Sequence, residues 1–297
     1  MRPIYALDAN IVIYDALRDV IERDHPLRSI IEYFLGKLGD QTDIIIPQPV
    51  VEESIKVIDS IYDFLISTLR ELLKRLKNII ERGYAVKSDP YLIVETFFNE
   101  KHRNLQESNQ QQDPHRLDRL RRLLRYLELS IVMIFDTEKA DDVGRAYECI
   151  KKLAISLTND HMAVIQRVVS VDQLRQYYKK GELPGNVDKV YSELRTRCKP
   201  SDLDIHDSDW KILFWQFTYQ WVNNVYVVFI SVDFRLLRHK KKLAESYMIY
   251  VTSPLYAIRT HEWVVKNMRS PKQDVHNYAS EDWARRLNMK LLDTSVM

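Results

Sequence analysis

The sequence predicts an α/β protein in which a parallel sheet is sandwiched between helices in three layers and interrupted by a long helical insertion. Three observations carry this. Four short runs, Ile4–Leu7, Ile44–Pro47, Val225–Ser231 and Met248–Thr252, are apolar on both faces and too short for helices. Such runs read as central strands of a parallel sheet. Between the second and third runs, residues 58–199 carry apolar residues at helical spacing. The whole chain has only six glycines, which argues for much helix and few tight hairpins.

In chain order, Ile4–Leu7 ends abruptly in Asp8-Ala9-Asn10. An aspartate at the carboxyl end of such a strand sits where open parallel sheets place their ligands. It is also a good helix cap, and both readings stand at this point. The apolar positions from Ile11 to Leu38 recur at helical spacing and are divided by Glu22–His25 and Pro26, so two short helices are expected. Ile44–Pro47 is a β-branched strand stopped by proline. Pro49 opens a helix, and Ile61, Leu65, Leu69, Leu72, Leu76 and Ile79 mark a long amphipathic helix over Ile58–Arg82.

Further helices are expected over Pro90–Asn104, Pro114–Phe135, Thr137–Leu157, Asp160–Lys179 and Val187–Arg197, with the polar bridge Glu107–Pro114 between the first two. A helix over Trp210–Val222 leads into the strand Val225–Ser231, which runs into Val232-Asp233 and so repeats the arrangement at Asp8. Met248–Thr252 is the last strand, Ser253–Ile258 starts a helix, and another is expected near Ser280–Leu292. The domain reading is a discontinuous α/β domain, 1–57 with 200–265, a helical insertion at 58–199, and a C-terminal helical extension at 266–297.

Bulk properties bound the function loosely. A net charge of +2 favours no class of partner. Cys149 and Cys198 stand far apart in no metal-ligand spacing, which suits a reducing compartment better than a structural disulfide. No apolar stretch reaches membrane-span length and the N-terminus reads as a core strand, so a cytoplasmic location with no membrane partner is expected.

The chemistry-bearing residues are carboxylates. Asp8 and Asp233 stand at strand ends; Glu52/Glu53 and Asp204/Asp207/Asp209 stand at helix starts. In a parallel sheet these positions share one edge. At 4 Å and an effective dielectric near 20, each like-charged pair costs about 4 kcal/mol, so the cluster needs protons or cations. Hard oxygen donors without paired histidines or cysteines suit Mg²⁺ or Mn²⁺ rather than structural zinc.

These residues resemble the PIN-domain nucleases. Ile4-Tyr-Ala-Leu-Asp8-Ala-Asn10 looks like the family's opening strand with its Asp-x-Asn, and Ile46-Pro-Gln-Pro-Val-Val-Glu-Glu53 like its second strand, proline and helix glutamate. Asp204-Ile-His-Asp207 resembles the segment carrying the third acid. Phe229-Ile-Ser231-Val-Asp233 resembles the Ser-x-Asp after the fourth strand, and Val251-Thr-Ser-Pro254 the closing strand. The resemblance covers 1–57 and 200–265, in the family's order; the insertion is longer than compact members carry.

The resemblance implies metal-dependent hydrolysis of phosphodiesters, usually in RNA. Asp8, Glu53, Asp207 and Asp233 would hold Mg²⁺ or Mn²⁺ and carry catalysis. Asn10 would orient Asp8, and Ser231 would support the site. Asp204 is expected as helix cap with Asp207 at the third helical position, and Asp209, about 200° round the helix from Asp207, stays open as the alternative acid. His206 reads as a surface or capping residue rather than a general base.

Arg235, Arg238, Lys240, Lys241 and Lys242 begin two residues after Asp233 and are expected to grip a phosphate backbone. The arginine-dense segment His115–Arg125 reads as a solvated helix face, with a second nucleic-acid contact or a partner surface as the alternative. Trp210, Trp215 and Trp221 are expected in the core. A homo-oligomer or protein partner could engage the helical insertion. The competing functions are an inert PIN-like module that binds RNA or protein, a structure-specific DNA nuclease, a toxin-type ribonuclease, and an aspartyl-phosphate phosphatase, against which Asn10 stands in place of the second aspartate.

Overall fold

A computed structural model of the chain describes residues 3–18, 26–39, 42–83, 89–107, 114–197 and 203–267. The helix expected near Ser280–Leu292, Cys198 and most of the 107–114 bridge lie outside the described residues. The chain divides into two compact units, 1–55 with 166–297, and 56–165.

The first unit holds a five-stranded, all-parallel sheet: β1 (Ile4–Leu7), β2 (Ile44–Pro47), β3 (Tyr178–Gly181), β4 (Val227–Ile230) and β5 (Tyr250–Thr252), in the spatial order β3-β2-β1-β4-β5. The order reverses at β1, which makes the carboxyl ends of β1 and β4 the switch point where open sheets of this kind leave a crevice. Helices cover both faces. Tyr5 meets Phe34 of α2 (Pro26–Leu38) edge-on at 6.1 Å, and its hydroxyl lies 2.9 Å from Nδ1 of His261 on α11 (Pro254–Asn267). Tyr5 pairs with Ile44, so Ile45 points to the opposite face. There Ile45 lies beside Gly181 with Trp215 of α8 (Asp207–Asn223). The arrangement is that of a three-layer α/β/α domain.

Helix α8 is bonded to the sheet as well as packed on it. The buried Gln216 donates to the carbonyls of Val227 (2.6 Å) and Tyr250 (3.2 Å). Gln220 donates to the Met248 carbonyl and accepts from the Val227 amide. Backbone groups at the entry to β4 and β5 would otherwise be buried without partners. Trp210, Trp215 and Trp221 are all core residues, as expected.

Strand β3 departs from the expected helix over Asp160–Lys179. The helices expected over Thr137–Leu157 and Asp160–Lys179 are largely one, α6 (Val143–Val169), and a short 3-10 turn at Val171–Gln173 leads into the strand. Helical periodicity runs through Asn159-Asp160 without a break, and β3 hides its signal because it is an edge strand. Its middle residues Lys179 and Lys180 are exposed and only Tyr178 and Gly181 are buried; charged side chains of this kind guard a sheet edge. The helices expected on either side of Ile58 are likewise one, α3 (Gln48–Glu81).

The second unit is built from parts of α3 and α6 with α4 (Pro90–Glu107) and α5 (Pro114–Glu138). Its core includes Leu65, Leu69, Leu72, Phe98, Leu124, Leu127 and Ile131. Arg75 pairs with Glu100 at 2.5 Å and Lys101 with Glu71. Cys149 is a buried free thiol. No helix among the described residues is long and apolar enough to cross a membrane.

Gly181 closes β3 against α8: a Cβ there would stand 2.6 Å from Cη2 of Trp215. Gly181→Ala is expected to cost about 1–3 kcal/mol by overpacking, measured by urea denaturation. Trp215→Phe in the same chain should restore part of the loss, and a Gly181→Ala protein as stable as the native one would show that the contact yields freely.

Candidate active site

Asp8 caps α1 (Ala9–Leu17) and is also the most deeply placed of the acids expected at the sheet edge. Its backbone is extended (φ −76°, ψ 155°), and Oδ1 accepts from the Ala9 amide at 2.7 Å. Oδ2 accepts from Ser231 Oγ at 2.6 Å, across the β1–β4 boundary. Ser231 Oγ in turn accepts from the Asp233 amide at 3.0 Å. The orienting bond expected from Asn10 therefore comes from Ser231: Asn10 is the second residue of α1, past the cap geometry that holds Asp8.

Asp8 is only 6% exposed. Burial pushes its carboxyl up to about 7, with Glu53 and Asp209 adding repulsion, while the bonds from Ser231 and Ala9 pull the other way. Burial wins because two dipoles replace less than full hydration of a carboxylate. Asp209 is half-buried and also raised, by burial first and then by Asp233, against the Arg235 guanidinium. Glu53 and Asp209 thus bear on Asp8, and Asp233 bears on Asp209.

The third acid turns on where α8 begins. Leu203 and Ile205 are both buried with Asp204 exposed between them, the Ile205 amide donates back to the Leu203 carbonyl at 2.9 Å, and His206, not Asp204, is the helix cap. Helix α8 starts three residues before the expected Trp210 but two residues later than a cap at Asp204 would place it. Asp207 becomes its first residue and is exposed; Asp209 becomes its third and is half-buried.

The rim of the cluster pairs acids with cations. Lys211 Nζ reaches Glu52 at 2.6 Å, which separates Glu52 from its neighbour Glu53. Arg238 of α9 (Phe234–Arg238) pairs with Asp204 at 2.5 Å. Arg235 approaches Asp233 at 3.4 Å and places Nη1 2.7 Å from His206 Nε2. A guanidinium can only donate, so His206 Nε2 accepts and is engaged, which leaves it poorly suited to take a substrate proton. On α10 (Lys240–Tyr247), Lys240 lies 5.0 Å over the Tyr256 ring, Lys241 is 3.8 Å from Glu245, and Lys241 and Lys242 are exposed. The sequence marked these cations but not the acids that hold them.

The donors are carboxylate oxygens with a serine behind them, which fits a hard divalent cation. Among the described residues, no three histidine, cysteine, aspartate or glutamate side chains stand close enough to form a closed ligand group. Mg²⁺ keeps several waters and takes as few as one or two carboxylates directly, so an open acidic edge remains compatible with it.

The raised Asp8 has a thermodynamic signature. The folded state keeps its proton up to about pH 7, whereas an unperturbed aspartate releases it near 3.8. The folded protein therefore binds more protons between those values, and its stability falls as pH rises through the window. The full penalty above it is about 4 kcal/mol. In EDTA, Asp8→Asn should gain about 2–4 kcal/mol at pH 8 and little at pH 4, flattening the native pH profile of urea denaturation. A native protein equally stable at both pH values would remove the buried charge from the account.

No family model, curated protein or solved structure matches the chain.

Proposed function

We propose that the protein is a PIN-like, metal-dependent nuclease that hydrolyses phosphodiester bonds, with RNA the favoured substrate from the resemblance. The observation that carries this is Asp8: a buried carboxyl at the end of the central strand, raised to about 7, in the company of Glu53 and Asp209. Strongly perturbed acids gathered at a switch point are what a catalytic carboxylate cluster needs. The parallel order β3-β2-β1-β4-β5 and the ordered sequence motifs agree with the reading.

Asp8, Glu53, Asp209 and Asp233 would hold Mg²⁺ or Mn²⁺; Asp209 takes the third place because it is half-buried and bears on Asp8, whereas Asp207 is exposed. The chemistry supplied by a cation held there would be a water of lowered pKa and an offset for charge on the reacting oxygens. Ser231 fixes the carboxylate plane of Asp8. Arg235 and Lys240 lie where a phosphate backbone would approach. A second reading, an inert module that only binds nucleic acid, draws on the lack of a closed ligand group and on Asp233 facing Arg235.

Purified protein incubated with single-stranded and duplex RNA and DNA in Mn²⁺, Mg²⁺ or EDTA separates the two. Cleavage is expected with the metals and not in EDTA. It should drop by about 100-fold or more in Asp8→Asn and Asp209→Asn, since even indirect metal contacts are worth 10–100-fold, and stay within a few-fold in Asp207→Asn. Cleavage that survives Asp8→Asn would sink the assignment, and binding without cleavage would favour the inert module.

A further inference from the structure

Phe234 is 85% exposed, the most exposed large apolar side chain among the described residues. It follows Asp233 directly and opens α9. A lone exposed ring needs no explanation, but this one has a counterpart. Strands β4 and β5 are adjacent and parallel with Ile230 opposite Thr252. Four residues beyond Ile230 is Phe234; four residues beyond Thr252 is Tyr256, in the first turn of α11 and 52% exposed. Both rings therefore stand past the carboxyl ends of neighbouring strands, on the edge that carries Asp8 and Asp233. Cations interleave with them: Arg235 follows Phe234, and Lys240 sits over the Tyr256 ring.

We propose that Phe234 and Tyr256 form a stacking platform for unpaired bases, so that the site takes a single strand and not a duplex; this rests on the nuclease reading above. Aromatic faces combined with cations that follow a phosphate backbone are the means by which single strands are held without sequence preference. A duplex has its bases already stacked and paired and would offer these rings only its phosphates. A base on Phe234 would bring its own phosphodiester to the residue next door, Asp233. The ring acts here as a positioning residue, selecting strandedness and fixing which phosphate reaches the acids.

The test is the affinity of the full chain, in EDTA, for a labelled homopolymer of RNA or DNA, single-stranded or annealed to its complement. The single strand should bind at least about tenfold more tightly than the duplex. Phe234→Ala should weaken single-strand binding by about 5- to 100-fold, the value of one base–aromatic stack. Phe234→Leu should weaken it similarly, and Phe234→Trp should restore it, with thermal melting unchanged in all three. Equal affinity for duplex, native affinity in Phe234→Leu, or an effect of Phe234→Ala confined to self-association would overturn the platform. Because binding is read without metal, Phe234-dependent binding with no cleavage of any substrate would keep the platform and reject hydrolysis. Cleavage abolished by Asp8→Asn with binding untouched by Phe234→Leu would do the reverse.

Discussion

The hydrogen bond from Ser231 Oγ to Asp8 Oδ2, 2.6 Å long and buried, fixes the end of β1 against the end of β4. It belongs to a short relay: the Asp233 amide donates to Ser231 Oγ, and Ser231 donates to Asp8. The Ser231 amide also donates to the Thr252 carbonyl, so β5 joins the same junction. A charge-assisted bond of this length is among the stronger ones a side chain makes, yet it does not offset the burial of Asp8, whose carboxyl remains near 7. The junction therefore holds its acid in place without offsetting the cost of burying its charge.

A second buried aspartate on the same helix shows the alternative. Asp15 is answered by Arg175, whose Nε lies 3.1 Å from both carboxylate oxygens and whose Nη2 lies 2.6 Å from one of them. Arg175 also reaches Glu32 on α2 at 2.7 Å, tying two helices to the segment that enters β3. The same short stretch thus contains one acid with a cation built in and one without. Among the described residues no cation pairs with Asp8; its two oxygens instead accept from Ala9 and Ser231, a pair of bonds that an asparagine, with one oxygen and an amide nitrogen that only donates, would not both accept in that arrangement.

Four of the five strands were legible because both of their faces are buried, which writes an unbroken apolar run into the sequence. The edge strand β3 was not, since its lysines break the run and four residues cannot establish a period. At the site, Asp8 and Asp233 could be proposed from position alone, because strand ends and helix starts share an edge whatever the details, whereas only the resemblance separated Glu53 from Glu52. Asp207 and Asp209 could not be separated that way. Their order of depth depends on the phase of α8, which begins only after the buried–exposed–buried alternation of Leu203, Asp204 and Ile205. That alternation is present in the sequence but covers too few residues to outweigh a capping pattern. Phe234 was hidden for a related reason: an apolar residue at a helix start looks like core until the helix is seen to be five residues long.

The charges of the site are arranged in two zones. At the rim each acid has a basic partner: Glu52 with Lys211, Asp204 with Arg238, Asp233 with Arg235. Farther in, neither Asp8 nor Asp209 takes part in an ion pair among the described residues, and both are raised. A polyanion approaching such an edge meets a nearly neutral rim, so long-range attraction is weak, in keeping with the net charge of +2. The interaction then depends on what occupies the centre. Under the proposed function, a divalent cation among the inner acids would add to the hold on a phosphate, and the rim cations have acids from which they could be drawn.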